Sequence, residues 1–147
     1  VVEGAHRRIL DLGSGAGLPG IPLKIVLPDA DFVLVESRRR RAGFLREVVR
    51  RLGLKRIRVE NLRLEQWMDR PTDGVDIVTA RAVADAAELF ALVRPILAKN
   101  GRLLASLPTA KGPQDMEPPP AEVRSLGWRD VKVRIRVWEQ DSGLTAK

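Results

Sequence analysis

Three glycines at alternating positions, Gly13, Gly15 and Gly17, are the residues of this sequence whose spacing points most directly to chemistry. They lie in the run DLGSGAGLPG at residues 11–20. Glycine lets the backbone turn sharply and approach a ligand closely. Where such a loop leads into a helix, the free N–H groups of the first helical turn can bind a negatively charged group. The run therefore predicts a loop that holds a nucleotide or a nucleotide-like cofactor.

The residues around these glycines separate the classes of glycine-rich loop. Gly15 and Gly20 have the spacing of a P-loop, but Ile and Pro follow where that loop requires Lys and Ser or Thr, so triphosphate hydrolysis is not expected. A dinucleotide fingerprint that started at Gly13 would need Gly or Ala in place of Leu18. The remaining pattern, Gly-x-Gly-x-Gly preceded by Asp11, resembles the first motif of Rossmann-like S-adenosylmethionine-dependent methyltransferases, in which the loop carries the amino-acid end of the cofactor.

An acidic residue at the end of the second predicted strand suits the same cofactor class. Glu36 stands nineteen residues after Gly17. A carboxylate at this strand end can accept hydrogen bonds from both ribose hydroxyls of an adenosine. A single Glu at a strand end is usually only solvated, but the glycine loop at this spacing favours the ribose-binding role.

Basic residues are concentrated in one segment of the chain. The whole sequence has 26 Lys and Arg, 19 Asp and Glu, and a net charge of +7. Residues 38–58 contain ten Lys or Arg and a single acid, Glu47, which is a local net charge of +9. Such a segment suits a surface that binds a polyanion, although a charged run is more often a solvated helix face. Within it Arg39, Arg46 and Arg50 share one face of the predicted helix, and we predict that they bind RNA.

The composition excludes several kinds of chemistry. With no Cys, the chain has no disulfide, thiolate zinc site, iron–sulfur cluster or Cys nucleophile. The single histidine, His6, rules out a multi-histidine site, and we predict no metal. Charged residues interrupt every apolar run before it reaches the length of a membrane span. The 147 residues suit one cytoplasmic domain, with a core at 8–107 and a loop and strand region at 108–147.

The elements that position these residues alternate between strands and helices. Short apolar runs predict strands at 8–12, 31–36, 56–60, 75–79 and 102–107, and helical spacing predicts helices at 19–27, 38–52 and 85–97. This alternation predicts an α/β, Rossmann-like fold with a mostly parallel sheet and helices on both faces.

Local signals define the ends and the buried face of the predicted helices. Ser37 is the expected N-cap of the second helix and Gly53 its C-terminal stop, and Asn100-Gly101 ends the third. The second helix has an apolar stripe at helical spacing that we expect to face the core: Leu45, Val48, Val49 and Leu52.

The last predicted strand, at residues 128–138, follows a proline-rich loop at 108–120. Its residues alternate, which predicts a half-exposed strand with Val and Ile on the buried face and Lys132, Arg134 and Arg136 on the exposed face. These basic side chains would either contact nucleic acid or protect a sheet edge from aggregation.

Four longer segments resemble one methyltransferase family, the glucose-inhibited division protein B family. They are LDLGSGAGLPGIPL (10–23), ESRRRRAGFLREV (36–48), RLE (63–65) and DIVTARAVA (76–84), and the resemblance spans about residues 8–107. The family consists of bacterial enzymes that methylate N7 of a guanine in 16S ribosomal RNA. The resemblance therefore implies S-adenosylmethionine as cofactor and 16S rRNA or the small ribosomal subunit as partner, for a cytoplasmic enzyme that we expect to be a monomer.

The resemblance also implies roles for individual residues. With the glycine loop and the strand-end acid, it predicts eight cofactor-binding residues: Gly13, Ser14, Gly15, Leu18, Glu36, Leu64, Glu65 and Arg81. Leu64 and Glu65 would flank the adenine. No catalytic residue is assigned, but Arg81 and Lys111 are candidates for aligning the substrate, because Lys111-Gly112 can correspond to a Lys-Gly pair after the fifth strand of the family. Arg40 and Arg41 match a basic pair at the start of the family's second helix, so the resemblance implies phosphate contact for them and brings the predicted RNA-binding residues to five.

The residues that the chain lacks agree with methylation at N7. Methyl transfer from a sulfonium is an in-line displacement that mainly requires alignment. Guanine N7 has a free lone pair and no proton to lose, so the reaction needs no general base. Methylation of cytosine C5 normally needs a Cys nucleophile, and methylation of an exocyclic amine usually shows Asn/Asp-Pro-Pro-aromatic where this chain reads TARA at 79–82.

Both ends of the chain depart from the family pattern. Only residues 1–7 precede the first predicted strand, where family members carry several helices, and residues 139–147 are too short and polar for a seventh strand. We therefore expect a chain trimmed at both ends, with an exposed sheet edge. The alternative function is a truncated relative that binds S-adenosylmethionine or RNA without turnover. A small-molecule methyltransferase is a third reading, which the basic segment disfavours.

Overall fold

The computed structural model describes residues 7–70, 72–81, 85–106, 120, 122–128 and 131–140. Within these residues the strands are β1 Arg8–Leu12, β2 Asp31–Val35, β3 Ile57–Glu60, β4 Val75–Arg81, β5 Leu97–Ser106, β6 Glu122–Trp128 and β7 Val131–Glu139. The α-helices are α1 Gly20–Val26, α2 Arg39–Arg51, α3 Leu64–Met68 and α4 Ala86–Val93. A 3-10 helix, Arg94–Ile96, connects α4 to β5.

The strands form one sheet in the order β3-β2-β1-β4-β5-β7-β6. β1 pairs with β2 and β4, and the pairs from β3 across to β5 are all parallel. β7 is antiparallel to both of its neighbours, β5 and β6. The chain order runs outward from β1 in both directions, so a topological switch point lies at the carboxyl ends of β1 and β4, where open α/β sheets bind ligands. The predicted mostly parallel sheet is confirmed.

Helices cover both faces of this sheet because neighbouring residues of each strand point to opposite sides. On one face, Ile21 of α1 and Leu45 of α2 pack with side chains of β1 and β2 such as Ile9 and Leu34. On the other face a larger core joins α3 and α4 to the sheet: its buried members include Leu10, Val35, Trp67, Val78, Leu89, Phe90 and Trp138. The prediction of helices on both faces is therefore confirmed.

The start and the exposed side of α2 differ from the prediction. Ser37 does not cap this helix; the backbone N–H of Arg38 instead donates to the carboxylate of Glu36 at 2.7 Å. Gly53 does end it, with a φ of +60° that glycine adopts without strain. Of the expected core stripe, Leu45 is buried, whereas Leu52 is 52% exposed because it lies in the last turn, beyond the sheet.

The predicted helix at 85–97 is shorter in the structure. α4 ends at Val93, because Pro95 has no N–H to donate and its ring clashes with the carbonyl four residues earlier. Asn100 and Gly101 therefore do not end a helix. They lie within β5, where the pairing between β4 and β5 shifts register. Asn100 has a φ of +62°, a left-handed conformation that Asn tolerates better than most residues.

The sheet has a seventh strand, β6, that was not recognised in the sequence, whereas residues 141–147, where no strand was expected, lie outside the described residues. The segment EVRSLGW has no regular apolar alternation, and it joins the sheet by backbone pairing with β7, from Glu122 opposite Val137 to Trp128 opposite Val131. This pairing places β7 between two strands. The prediction of Arg136 on an exposed face was wrong: the side chain is fully buried, because it lies on the same face of β7 as Trp138, a member of the larger core.

Candidate functional site

A cavity of about 480 Å³ lies at the carboxyl ends of the central strands. Its wall contains the last residues of three adjacent strands, Leu12 of β1, Val35 of β2 and Arg81 of β4. The first residues of α3, Leu64 and Glu65, close it from the side. The cavity therefore occupies the switch point of the sheet, the place where this class of fold binds its ligands.

Four of the eight predicted cofactor-binding residues meet in this cavity: Gly13, Leu64, Glu65 and Arg81. Gly13 has a φ of +65°, and a Cβ built on it would meet no atom within 4 Å. Its backbone therefore faces open space, which is the close approach to a ligand that the glycine loop predicts. Contact of these residues with a cofactor stays a prediction.

The remaining predicted residues hold the loop and do not line the cavity. The hydroxyl of Ser14 donates to the carbonyl of Asp11 at 3.0 Å, and the N–H of Gly15 donates to Glu36 Oε2 at 2.9 Å. Glu36 is buried, and with the N–H of Arg38 on its other oxygen it fastens the loop to the start of α2. Each carboxylate oxygen has two lone pairs, so Glu36 keeps capacity for a ribose hydroxyl. Leu18 is exposed on the outer side of the loop.

Asp11 is a buried acid beneath the loop that the sequence did not single out as a site residue. Thr79, its partner across β1 and β4, donates its hydroxyl to Asp11 Oδ1 at 2.7 Å. Burial raises the pKa of the Asp11 carboxyl, while hydrogen bonds from Thr79, Ser14 and the backbone of Gly20, and the charge of Arg81, act in the opposite direction. Asp11 thus lies at the junction of β1 and the glycine loop, next to the cavity. In the sequence, its position just before the glycines was the only indication of this role.

Gly20 is required by the close packing between α1 and the sheet. A Cβ at this position would lie 2.5 Å from Cδ2 of Leu34 and 2.7 Å from Oδ2 of Asp11. Both neighbours are buried and have little room to move. Gly20, the last glycine of the run, therefore allows α1 to start in direct contact with Leu34 and Asp11.

The basic segment is not one surface in the structure, because the arginines of its second half already have partners. Arg50 and Arg51 both pair with Glu47. Arg56 pairs with Asp31, and Arg58 pairs with Glu60. Arg46 donates to the backbone carbonyl of Val59. Hydrogen bonds from Arg50 and Arg51 lower the pKa of Glu47 to about 2. Of the five predicted RNA-binding residues, Arg46 and Arg50 thus already have partners.

The unpaired positive charge is at the other end of α2. Arg38, Arg39, Arg40 and Arg41 are all exposed, and their guanidinium groups make no ion pair with the residues that the structure describes. The first turn of α2 contains no acid. Because a helix N-terminus already carries partial positive charge, four arginines there are unfavourable for the isolated helix and favourable for binding an anion. Arg41 Nη1 lies 4.0 Å from the Cβ position of Gly15, so this charge adjoins the glycine loop.

Two further polar residues line the cavity without having been predicted. They are Ser37, which follows β2, and Arg63, which precedes α3. The N–H of Arg63 donates to Gln66 Oε1 at 3.0 Å, an interaction that starts α3. The only sequence signal for Arg63 was its place in the RLE segment. The other candidate for aligning the substrate, Lys111, lies outside the described residues.

The described residues contain no group of three or more His, Asp or Glu side chains arranged to hold a metal ion. Among the same residues, no helix combines the length and the apolar character that crossing a lipid bilayer requires.

Comparison with known proteins agrees with this architecture. A family model described as GidB, rRNA small subunit methyltransferase G, matches residues 1–125. The chain is 39% identical over 126 residues to ribosomal RNA small subunit methyltransferase G of Corynebacterium efficiens, a match that covers 85% of this chain and 54% of that protein. It is 40% identical over 126 residues to the protein of the same name from Mycobacterium marinum, covering 86% of this chain and 55% of that one.

A solved structure supports the fold at much lower identity. The crystal structure of an S-adenosylmethionine-dependent O-methyltransferase from Thermotoga maritima matches with a TM-score of 0.72 at 17% identity, over 92% of this chain and 60% of that one. The fold is therefore that of the Rossmann-like methyltransferases. The chain spans about half the length of the curated relatives it matches. The extent and identity of these matches show that the chain belongs to the GidB family, the family of rRNA small subunit methyltransferase G.

Proposed function

We propose that this chain is an S-adenosylmethionine-dependent methyltransferase that acts on N7 of a guanine in 16S ribosomal RNA. The observation that carries the proposal is the cavity at the switch point, which brings Gly13, Leu64, Glu65 and Arg81 together from three separate segments. Membership of the GidB family supports the same activity. The proposal also includes the small ribosomal subunit as partner, a monomeric protein, and action in the cytoplasm.

The cavity wall fits the proposed cofactor in chemistry and in shape. Apolar side chains of Leu12 and Leu64 suit the faces of an adenine, and the open backbone at Gly13 suits the methionine part. Glu36 does not itself line the cavity, but it lies between the wall residues Val35 and Ser37, from where it would accept the ribose hydroxyls with its remaining lone pairs. When bound, S-adenosylmethionine supplies an activated methyl group on a positively charged sulfur. Ser14, Gly15 and Leu18 would contribute to cofactor binding by shaping the glycine loop.

The polar groups of the wall suit an acceptor that has no proton to lose. They include two guanidinium groups, Arg63 and Arg81, and one carboxylate, Glu65. Guanine N7 needs alignment and no general base, and an arginine can hold the guanine by donating to its O6 while the N7 lone pair stays free to attack the methyl group. Arg81 is the proposed residue for positioning the guanine at the end of β4, and Lys111 stays a second candidate.

The free arginines at the start of α2 support RNA as the substrate. Arg39, Arg40 and Arg41 are exposed next to the loop, where they can contact phosphates on either side of a target nucleotide. Arg46 and Arg50 would need to exchange their present partners to do the same. We therefore propose that the first three carry most of the phosphate contact.

We also propose that residues 1–147 act as one methyltransferase domain. β7 pairs with β5 over five residue pairs, which joins the later strands to the core sheet. Supporting evidence would be a single cooperative unfolding transition by two different probes.

Transfer of labelled methyl groups to small ribosomal subunits tests the proposal. We expect labelled N7-methylguanine with the unchanged chain, and strongly reduced label with Arg81→Ala. Arg94→Ala is the matched control, since Arg94 is an exposed arginine in the 3-10 helix and not in the cavity wall. Calorimetry with S-adenosylhomocysteine accompanies the assay. Binding without transfer would support the alternative, a non-catalytic relative, and label on another atom would refute the assigned acceptor.

A further inference from the structure

Phe44 on α2 is unusual among the aromatic residues of this protein. Its side chain is 53% exposed. The other aromatic side chains whose burial is described are at most 7% exposed: Phe32, Trp67, Phe90 and Trp138. An aromatic ring gains about 1.5–3 kcal/mol when it is fully buried, and Phe44 forgoes most of that gain in the described structure.

The neighbours of Phe44 on the helix surface are the free arginines. Residues three and four apart on a helix are adjacent, so Arg40 and Arg41 lie one turn before Phe44 on the same side. Gly43, beside it, has nothing within 4 Å of its Cβ position, so the surface next to the ring is open. The ring thus lies at the edge of a positively charged patch that has no acidic partner among the described residues. A residue that served only to pack the core would not need this position.

This surface adjoins the proposed cofactor site. Arg41 reaches the glycine loop near Gly15, and Leu45, the residue after Phe44, contacts the loop from below, with its Cδ2 3.1 Å from the Cβ position of Gly17. Phe44 therefore lies three residues, about 4.5 Å along the helix axis, from Arg41 and directly before Leu45.

An exposed aromatic ring beside unpaired arginines has the chemistry that binds unpaired nucleotides. Proteins recognise single-stranded RNA by stacking splayed bases on aromatic rings, while arginines contact the phosphates. A paired duplex keeps its bases stacked inside and offers no free face to such a ring. The patch therefore fits a strand whose bases are already unpaired.

We propose that Phe44 is a stacking platform for an unpaired base of the RNA substrate close to the target guanine, with Arg40 and Arg41 binding the adjoining phosphates. This inference rests on the proposed function and adds the form of RNA that the site accepts. The competing occupant is a polypeptide segment that would cover the apolar stripe of Phe44 and Leu52, and the test below separates the two.

The test measures the binding of one RNA oligonucleotide to the full chain as a single strand and as a duplex. We expect Phe44→Ala to weaken single-strand binding by roughly 5- to 100-fold, the range for loss of one base–aromatic stack. Duplex binding should change little. The slope of log Kd against log salt concentration should stay the same, because the slope counts phosphate contacts, which Phe44 does not make.

Two further variants separate stacking from general apolar contact. Phe44→Trp keeps a flat ring and should retain binding, whereas Phe44→Leu keeps apolar area without a ring and should bind as weakly as Phe44→Ala. Leu52→Ala is the matched control, because Leu52 is an equally exposed apolar residue at the C-cap of the same helix. This variant should bind RNA like the unchanged chain.

Equal single-strand binding by Phe44→Ala and the unchanged chain would overturn the inference and leave the proposed function intact. An equal loss with Leu52→Ala would assign the effect to α2 as a whole, and full binding by Phe44→Leu would show that apolar area suffices without a ring. Either result would overturn the inference. If the unchanged chain bound neither form of RNA, the RNA part of the proposed function would fail, and the stacking platform with it.

Discussion

Gly13 allows the effect of backbone strain to be separated from the effect of filling the cavity. A side chain at this position is strained because φ is +65°, and it also projects into the cavity. Gly53 has nearly the same backbone, with φ +60° and no atom within 4 Å of its Cβ position, but it follows the opposite end of α2. The 13 residues of that helix put about 20 Å between its two ends.

Substitution of each glycine by alanine should cost about the same stability. A non-glycine residue in the left-handed region costs roughly 1–2 kcal/mol. At this chain length each kcal/mol lowers the midpoint of thermal unfolding by about 2–4 °C. Gly13→Ala and Gly53→Ala should therefore unfold at similarly lowered temperatures, as measured by circular dichroism.

The affinity for S-adenosylhomocysteine should distinguish the two positions. Filling a well-fitted site costs typically 1–3 kcal/mol, which is about 5- to 150-fold in Kd. We expect Gly13→Val to show a loss in this range by calorimetry, Gly13→Ala a smaller one, and Gly53→Ala none. Unchanged affinity in Gly13→Val would refute the placement of the cofactor, and an equal loss in Gly53→Ala would assign the effect to strain.

Four other substitutions test the acid, the arginines and the buried lysine. Burial raises the pKa of Asp11 above 3.8, so the Asp11 charge costs no stability below that pH and destabilises the fold as the pH rises through the raised pKa. In urea titrations the stability of the unchanged chain should therefore fall relative to that of Asp11→Asn over this pH interval. A difference in stability that stays constant with pH would contradict this. Arg40→Gln should reduce the salt slope of RNA binding by about one, whereas Arg50→Gln should not, and equal slopes would refute the division of the basic segment. Lys24→Met should lose about 2 kcal/mol of unfolding free energy. The reason is that the Lys24 ammonium donates to the backbone carbonyls of Pro28 at 2.7 Å and Ala30 at 2.5 Å, just after α1. An unchanged unfolding free energy would show that these carbonyls find other donors.

The parallel half of the fold could be predicted because its signals are local. Each of its strands is a short apolar run, and glycines mark the turn after β1 and the end of α2. The register that places Asp11 beside Thr79 is not local, so the buried hydrogen bond between β1 and β4 could not be foreseen. The cavity follows from this topology; Gly13 was predicted from the glycine loop after β1, whereas Arg81 was predicted from the family resemblance.

The elements that escaped prediction are those that depend on distant partners. α3 has only five residues, too few for a periodic pattern, and it is held by burial of Trp67 against the sheet. β6 is specified by pairing with β7, and its own sequence contains Ser and Gly at positions where a strand normally shows Val or Ile. Neutralisation of the basic segment likewise needs acids from elsewhere, such as Asp31 for Arg56.

The position of β7 between β5 and β6 has a consequence for the order in which the sheet can be completed. β6 is synthesised first, but its described strand partner is β7, so it has no place in the sheet until Val131–Glu139 has left the ribosome. The parallel strands can assemble earlier, and β5 then presents unpaired backbone groups during translation. For that interval the nascent chain carries an open sheet edge that is prone to association with other chains, until the late hairpin docks and covers it.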